Sequence, residues 1–166
     1  MAFRTTILAA LFAAAIGSGL IGGIFYAFSS FVMAALGRLT PARATEAMNA
    51  INVTVITPSF LAVFAGMALS CAALAVGAFF AWQETAAKLV FAASIAYLIG
   101  TFGVTMVLNV PLNDELAAFG AARASELWPR FLDVWTTWNT VRTFFALVSS
   151  ALFIAALLFV PQAEAA

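Results

Sequence analysis

Four stretches of this chain are almost unbroken runs of apolar residues. They extend from about Thr5 to Leu36, from Pro58 to Trp82, from about Ala86 to Leu108 and from about Leu132 to Val160. A helix needs about 20 apolar residues to cross a bilayer, and longer ones tilt or project beyond it. All four stretches meet that length. The pattern predicts an all-α membrane protein: a four-transmembrane-helix bundle, with residues 1–166 forming a single domain. Apolar character in the first stretch continues past Gly23 to Met33. A signal-peptide core is only about 7–15 residues long, so this stretch is expected to be an uncleaved first helix.

The connections between stretches are unequal. Gln83, Glu84 and Thr85 alone separate the second from the third, which makes those two helices antiparallel neighbours. The other two connections are much longer. Alternating direction of the spans puts both long connections on one membrane face and both chain termini on the same side. Each long connection is predicted to be an amphipathic helix. The first starts at Thr40-Pro41, a capping residue followed by proline at the first helical position, and Met48, Ile51, Asn52 and Val55 share one of its faces. The second is expected to start at Asn113, after Pro111 has broken the third helix. Trp82 and Trp128 are placed to anchor the membrane interface.

Composition sharpens this picture. Apolar residues make up 65% of the chain and charged residues 8%. Soluble domains are about 45–50% apolar and about 25% charged. The bilayer is therefore the expected solvent, and an integral protein of a bacterial inner (cytoplasmic) membrane the expected location. Formal net charge is zero, and no basic cluster marks a nucleic-acid surface. Arg38, Arg43, Arg123 and Arg130 lie on the face with the long connections, against Arg4 and Lys88 on the other. The positive-inside rule then points the long connections toward the cytoplasm.

The chain has no histidine and one cysteine, Cys71, within an apolar run. This removes the commonest metal ligand, the usual haem ligand and the usual general base. The expectation is no metal, no haem, no iron–sulfur cluster and no other cofactor.

Polar residues inside the apolar stretches are few, and they fall in patterns. In the fourth helix, Trp135, Trp138, Asn139 and Arg142 occupy one sector of about 100°. An intramembrane arginine costs several kcal/mol unless it is paired or hydrated, and such residues are usually functional. In the third helix Tyr97, Thr101, Thr105 and Asn109 recur every four residues. Asn109 and backbone carbonyls freed near Pro111 are the expected partners of Arg142. In the first helix, Gly19 and Gly23 form a small-xxx-small pair suited to close helix packing. Tyr26 and Ser30 could line a pocket below them, and Asn52 is placed to point inward from the first connection. The structural alternatives are plain: Arg142 locks helices together or reaches the interface, Asn113 caps a helix, and the glycines only pack. The functional alternative is a cavity with amide, hydroxyl and guanidinium groups between aromatic walls. That chemistry suits a flat, hydrophobic aromatic or quinone-like molecule.

Several of these segments resemble the anthrone oxygenase-like membrane family, long listed as a domain of unknown function. They are Gly23-Ile-Phe-Tyr-Ala-Phe-Ser-Ser-Phe-Val-Met33, Ala50-Ile-Asn52-Val, Gly103-Val-Thr105, Asn109-Val-Pro-Leu-Asn113 and Trp135-Thr-Thr-Trp-Asn139-Thr-Val-Arg142. The chain has Met33-Ala34 where many relatives have Met-Pro. The resemblance implies a four-span fold. Its fungal members are tied to oxidation of anthrones to anthraquinones without metal or flavin, and most bacterial members have no assigned substrate. It thus implies an oxygenase or related redox enzyme acting on a hydrophobic aromatic compound. Arg142, Asn139 and Asn109 would stabilise an oxyanion, and Tyr26, Asn52, Thr105, Asn113, Trp135 and Trp138 would contact substrate. Asp114 and Tyr26 are the candidates for the base by position. Two other classes of function remain open at this level. One is a non-catalytic membrane protein that binds or moves a small hydrophobic molecule. The other is a structural partner whose glycine-rich helix packs on other membrane proteins or on a second copy of the chain.

Overall fold

The computed structural model of the chain describes residues 2–160. It is all-helical, with four helices long and apolar enough to cross a membrane: Arg4–Leu36, Pro58–Phe80, Thr85–Ala118 and Ala124–Leu157. These four apolar helices make the chain an integral membrane protein.

The second spanning helix, 23 residues long, is the shortest. At 1.5 Å per residue it is about 34 Å long, close to one bilayer core. The other three have 33 or 34 residues and extend further. Their ends are enclosed by the first connection, a helix over Pro41–Thr54. This arrangement produces two cores. The larger runs through the middle of the bundle and includes Leu11, Ile21, Phe64, Cys71, Tyr97 and Phe153. The smaller lies at the connection end and joins Met33, Leu36, Met48, Leu116, Trp128 and Phe131.

Local chemistry explains most boundaries. Thr57 caps the second spanning helix, its hydroxyl accepting from Phe60 N at 3.2 Å, with Pro58 next in line. Thr40 precedes Pro41 in extended backbone but makes no side-chain cap bond. Proline's fixed φ starts that helix without one.

Pro111 does not break the third helix. The expectation that it would, with Asn113 capping a new helix, fails. A proline lacks an amide donor and crowds the preceding turn. Here the preceding turns are π-helical, over Ala96–Gly103 and Thr105–Asn109, and α-helix continues over Val110–Phe119. Pro111 sits in the first turn of that last α segment, where a missing amide is tolerated. The chain turns only at Gly120, with φ of 50°, a conformation open to glycine.

Two further expectations are corrected by packing. Trp128 is not an interface anchor: it is buried and stacks on Phe131 at 5.6 Å, whereas Trp82 is 45% exposed. Gly23 is not a packing glycine, since a Cβ there would meet nothing within 4 Å. Close approach occurs instead at Gly22, where a Cβ would lie 2.9 Å from Leu147 Cδ2, and at Gly100, where it would collide with Phe145.

Candidate functional site

The third and fourth spanning helices are joined by a ladder of side-chain hydrogen bonds. Thr101 Oγ1 donates to the Arg142 carbonyl at 3.2 Å. Thr105 Oγ1 accepts from Arg142 Nη1 at 3.2 Å. Asn109 Nδ2 donates to the Trp135 carbonyl at 3.2 Å, and Asn113 Oδ1 accepts from Trp135 Nε1 at 2.8 Å. Four residues separated by fours thus face one neighbour. A regular α-helix of 3.6 residues per turn would rotate each successive rung by about 40°. The π turns hold more residues per turn and cancel this drift. The winding of the third helix and the spacing of its polar residues are therefore one feature.

Arg142 lies at the centre of the ladder and is 6% exposed. Its Nε and Nη2 donate to Asn139 Oδ1 at 3.0 and 2.7 Å. Its Cζ lies 3.8 Å from the centre of the Phe25 ring and 5.1 Å from that of Trp135, an enclosed cation–π arrangement. No carboxylate bonds to it among the described residues. A guanidinium has five N–H donors, and three are engaged here, which leaves two without an acceptor among the described residues.

Asn139 is fully buried and fully used. Its Nδ2 donates to the Phe25 carbonyl at 2.7 Å and to Ser29 Oγ at 2.6 Å. These acceptors flank the start of a π turn over Phe28–Val32 in the first helix, where the backbone ladder is respaced. Asn139 therefore positions Arg142 and Ser29, and has no donor left for a substrate.

The sequence-predicted residues divide accordingly. Arg142, Asn139 and Thr105 are bonded directly. Asn109 lies one rung further along, bonded to Trp135 and not to Arg142, and its Oδ1 is buried without a partner. Arg142 bonds to no carbonyl near Pro111. Trp135 belongs to the ladder and stacks on Phe131 at 5.9 Å. Trp138 is half-buried and makes none of the ladder's bonds. Asn52 has a buried Nδ2 without a partner, and Thr45 Oγ1 and Asn49 Oδ1 on the same connecting helix share that condition. Tyr26 is 59% exposed, and the Ser30 hydroxyl folds back onto the Tyr26 carbonyl. The placement fails because the inward stripe of the first helix is Ile21, Phe25 and Met33, all buried.

A family model, that of anthrone oxygenase, matches residues 58–152, which is more than half of the chain and includes the whole ladder. The chain belongs to the anthrone oxygenase family. No curated protein and no solved structure matches it.

In this family member an open groove of about 420 Å³ adjoins the polar cluster, between the first and fourth spanning helices. Its walls include Ser29, Met33, Asp133, Thr136, Thr137 and Thr140. Ser29 is shared: it accepts from Asn139 on one side and contacts Thr140 Oγ1 at 2.9 Å on the other. Sequence reasoning missed this groove. Its signal was the threonine run Thr136, Thr137 and Thr140, which with Asp133 falls on the face of the fourth helix away from Arg142.

Proposed function

We propose that this chain is a cofactor-free oxygenase, in the inner membrane of a bacterium, that converts a hydrophobic anthrone-type ketone to a quinone. The observation that carries the reading is Arg142, a buried guanidinium with two unused donors and no carboxylate partner. A buried charge without a counter-charge is costly, so a protein keeps one where a ligand supplies the missing negative charge.

The chemistry matches that supply. Anthrone and one O2 give anthraquinone and one water. Loss of a proton from the methylene carbon moves the C–H electron pair through the rings onto the carbonyl oxygen. The resulting carbanion reduces oxygen directly. The protein must hold a flat ring system, stabilise the oxyanion and exclude competing water. Phe25, Trp135 and Phe28 supply aromatic surface around the cation, with Phe28 and Trp135 5.7 Å apart. A fixed donor aimed at a developing oxyanion is worth about 10²–10³ in rate. Asn139 and Thr105 hold the guanidinium in place. The substrate reaches the site from the bilayer, where such rings concentrate.

The test uses the full chain in lipid nanodiscs with 1,8-dihydroxyanthrone. Quinone formation and oxygen uptake in equal amounts, well above the rate without protein, are expected. No acceleration would end the oxygenase reading. Tight binding of the quinone without turnover would make the protein a carrier of such molecules.

A further inference from the structure

The buried cluster and the open groove are connected by a hydrogen-bond chain whose direction can be read. Arg142 Nε and Nη2 donate to Asn139 Oδ1. Asn139 Nδ2 donates to Ser29 Oγ at 2.6 Å. Thr140 Oγ1 donates its single hydrogen to the Thr136 carbonyl at 2.9 Å. In the Ser29–Thr140 contact the hydrogen must therefore come from Ser29. The chain runs one way, from the guanidinium to a hydroxyl on the groove wall. Each donor in such a chain is strengthened by the one before it, and a cation at its head makes the last hydroxyl a strong donor. A rotation about the Ser29 Cβ–Oγ bond turns the hydrogen from Thr140 to a ligand oxygen and leaves Oγ accepting from Asn139.

The facing features of the groove also point to a ligand. Thr136 Oγ1 is buried and has no partner, though Thr136 lines the groove. Asp133 is the groove's one carboxylate. It makes no ion pair or hydrogen bond through its carboxylate among the described residues; only its backbone carbonyl is engaged, by Thr137. The volume lies within the range of about 300–1,000 Å³ usual for small-molecule sites. Both Asp133 and Asp114 are exposed, but Asp114 is not among the lining residues.

We propose that this groove is the binding site for a hydroxylated tricyclic ketone, with Ser29 as the hydroxyl that holds its carbonyl oxygen and Asp133 as the base that takes its methylene proton. The proposal rests on the oxygenase reading for its substrate class. Asp133 accepts the proton, and the C–H electron pair passes to the carbonyl oxygen held by Ser29. The carbon then bonds to O2, and the peroxide oxygen takes up the proton from Asp133. Asp133 takes the second methylene hydrogen as a proton, the C–H pair forms the new C=O as the O–O bond breaks, and the departing hydroxide takes that proton and leaves as water. Asn139 is a positioning residue in this scheme, and Ser29 and Asp133 are catalytic residues.

The experiment separates binding, deprotonation and oxidation. Binding of 1,8-dihydroxyanthraquinone to the full chain in nanodiscs is followed by its visible absorbance. Deprotonation is followed without oxygen, as deuterium uptake from D2O into the methylene of unsubstituted anthrone. Ala34→Trp and Thr137→Phe fill the groove from its wall and should abolish binding. Ala34 is exposed, so the larger side chain is compatible with the fold. Asp133→Asn should bind the quinone like the wild type and lose about 100-fold in protein-catalysed exchange. Ser29→Ala should lose about tenfold in exchange, and Asp114→Asn should match the wild type. Unchanged binding in both groove-filling variants overturns the groove. Exchange by Asp133→Asn at the wild-type rate, or no exchange catalysed by the wild type, overturns the base. Asp133-dependent exchange without oxygen uptake supports the groove while ending the oxygenase reading.

Discussion

The two ends of this bundle treat buried polar groups in opposite ways. At the end with the tight turn, polar side chains are few and pair off locally. Ser18 and Ser149 contact each other at 3.2 Å, Ser94 bonds the Val90 carbonyl, and Ser150 bonds the Ala15 carbonyl at 2.8 Å. These hydroxyls are small, neutral and engaged, and they let helices approach closely. At the connection end, polar groups are large, include a charge and retain unused capacity. Among the described residues Arg142 has two free donors, and the buried side-chain atoms without partners are those of Thr45, Asn49, Asn52, Asn109 and Thr136. A buried polar atom left unpaired costs about 1–3 kcal/mol, more for a charged group. Packing alone would have selected apolar residues there. The contrast teaches that one end of the bundle is built for cohesion and the other is built to receive a polar ligand.

The largest expected effect of breaking this contrast is at Arg142. Arg142→Leu removes the charge and strands Asn139 Oδ1, so turnover should fall by about 10²–10³. Arg142→Lys should restore little, because an ammonium lacks the planar fork that reaches Asn139 and Thr105 together. Steady-state kcat with 1,8-dihydroxyanthrone measures both. Arg130→Leu is the comparison, since Arg130 pairs with Glu115 in solvent and should leave turnover near wild type.

The next effect concerns the contact between the third and fourth helices. Gly100→Leu forces a side chain into Phe145 and should destabilise the fold by about 1–3 kcal/mol, read as a lower melting temperature in detergent. It should also weaken the neighbouring Thr101 and Thr105 rungs. Trp135→Phe is milder. It removes the bond to Asn113 and retains the stack on Phe131, for a loss of about 1 kcal/mol. The smallest effect is expected at the cohesive end. Ser149→Ala loses the Ser18 contact, at about 0.6 kcal/mol for a typical intramembrane hydrogen bond, and should not change kcat. If Ser149→Ala reduced turnover as much as Arg142→Leu, the division between the two ends would fail.

Much of this was legible in the chain itself. Long apolar runs specify spanning helices because the bilayer admits few alternatives. The four-residue recurrence of Thr101, Thr105 and Asn109 marked the ladder, and extending it by one step would have included Asn113. Pro111, two residues earlier, instead marks Asn113 as a helix cap. The π turns that carry the helix through leave no local sequence signature comparable to proline. Tyr26 was misplaced because the inward face of an almost wholly apolar helix is not marked by polarity. Phe25 and Phe28 are as apolar as residues facing lipid. The groove was missed because its walls come from distant segments, Ser29 to Ala34 and Pro129 to Thr140, and only packing brings them together.

The central claim is that the buried charge of Arg142, relayed through Asn139 to Ser29, serves an oxyanion formed on an aromatic ketone. The most direct measurement is oxygen consumption by the purified chain in nanodiscs with 1,8-dihydroxyanthrone, wild type beside Arg142→Leu and Arg142→Lys. Quinone binding is measured on the same samples. The account predicts one oxygen consumed per quinone formed by the wild type, and a loss of about 10²–10³ in both variants while correctly folded protein persists. Equal rates in the wild type and Arg142→Leu, from samples that remain monodisperse and bind the quinone, would contradict it.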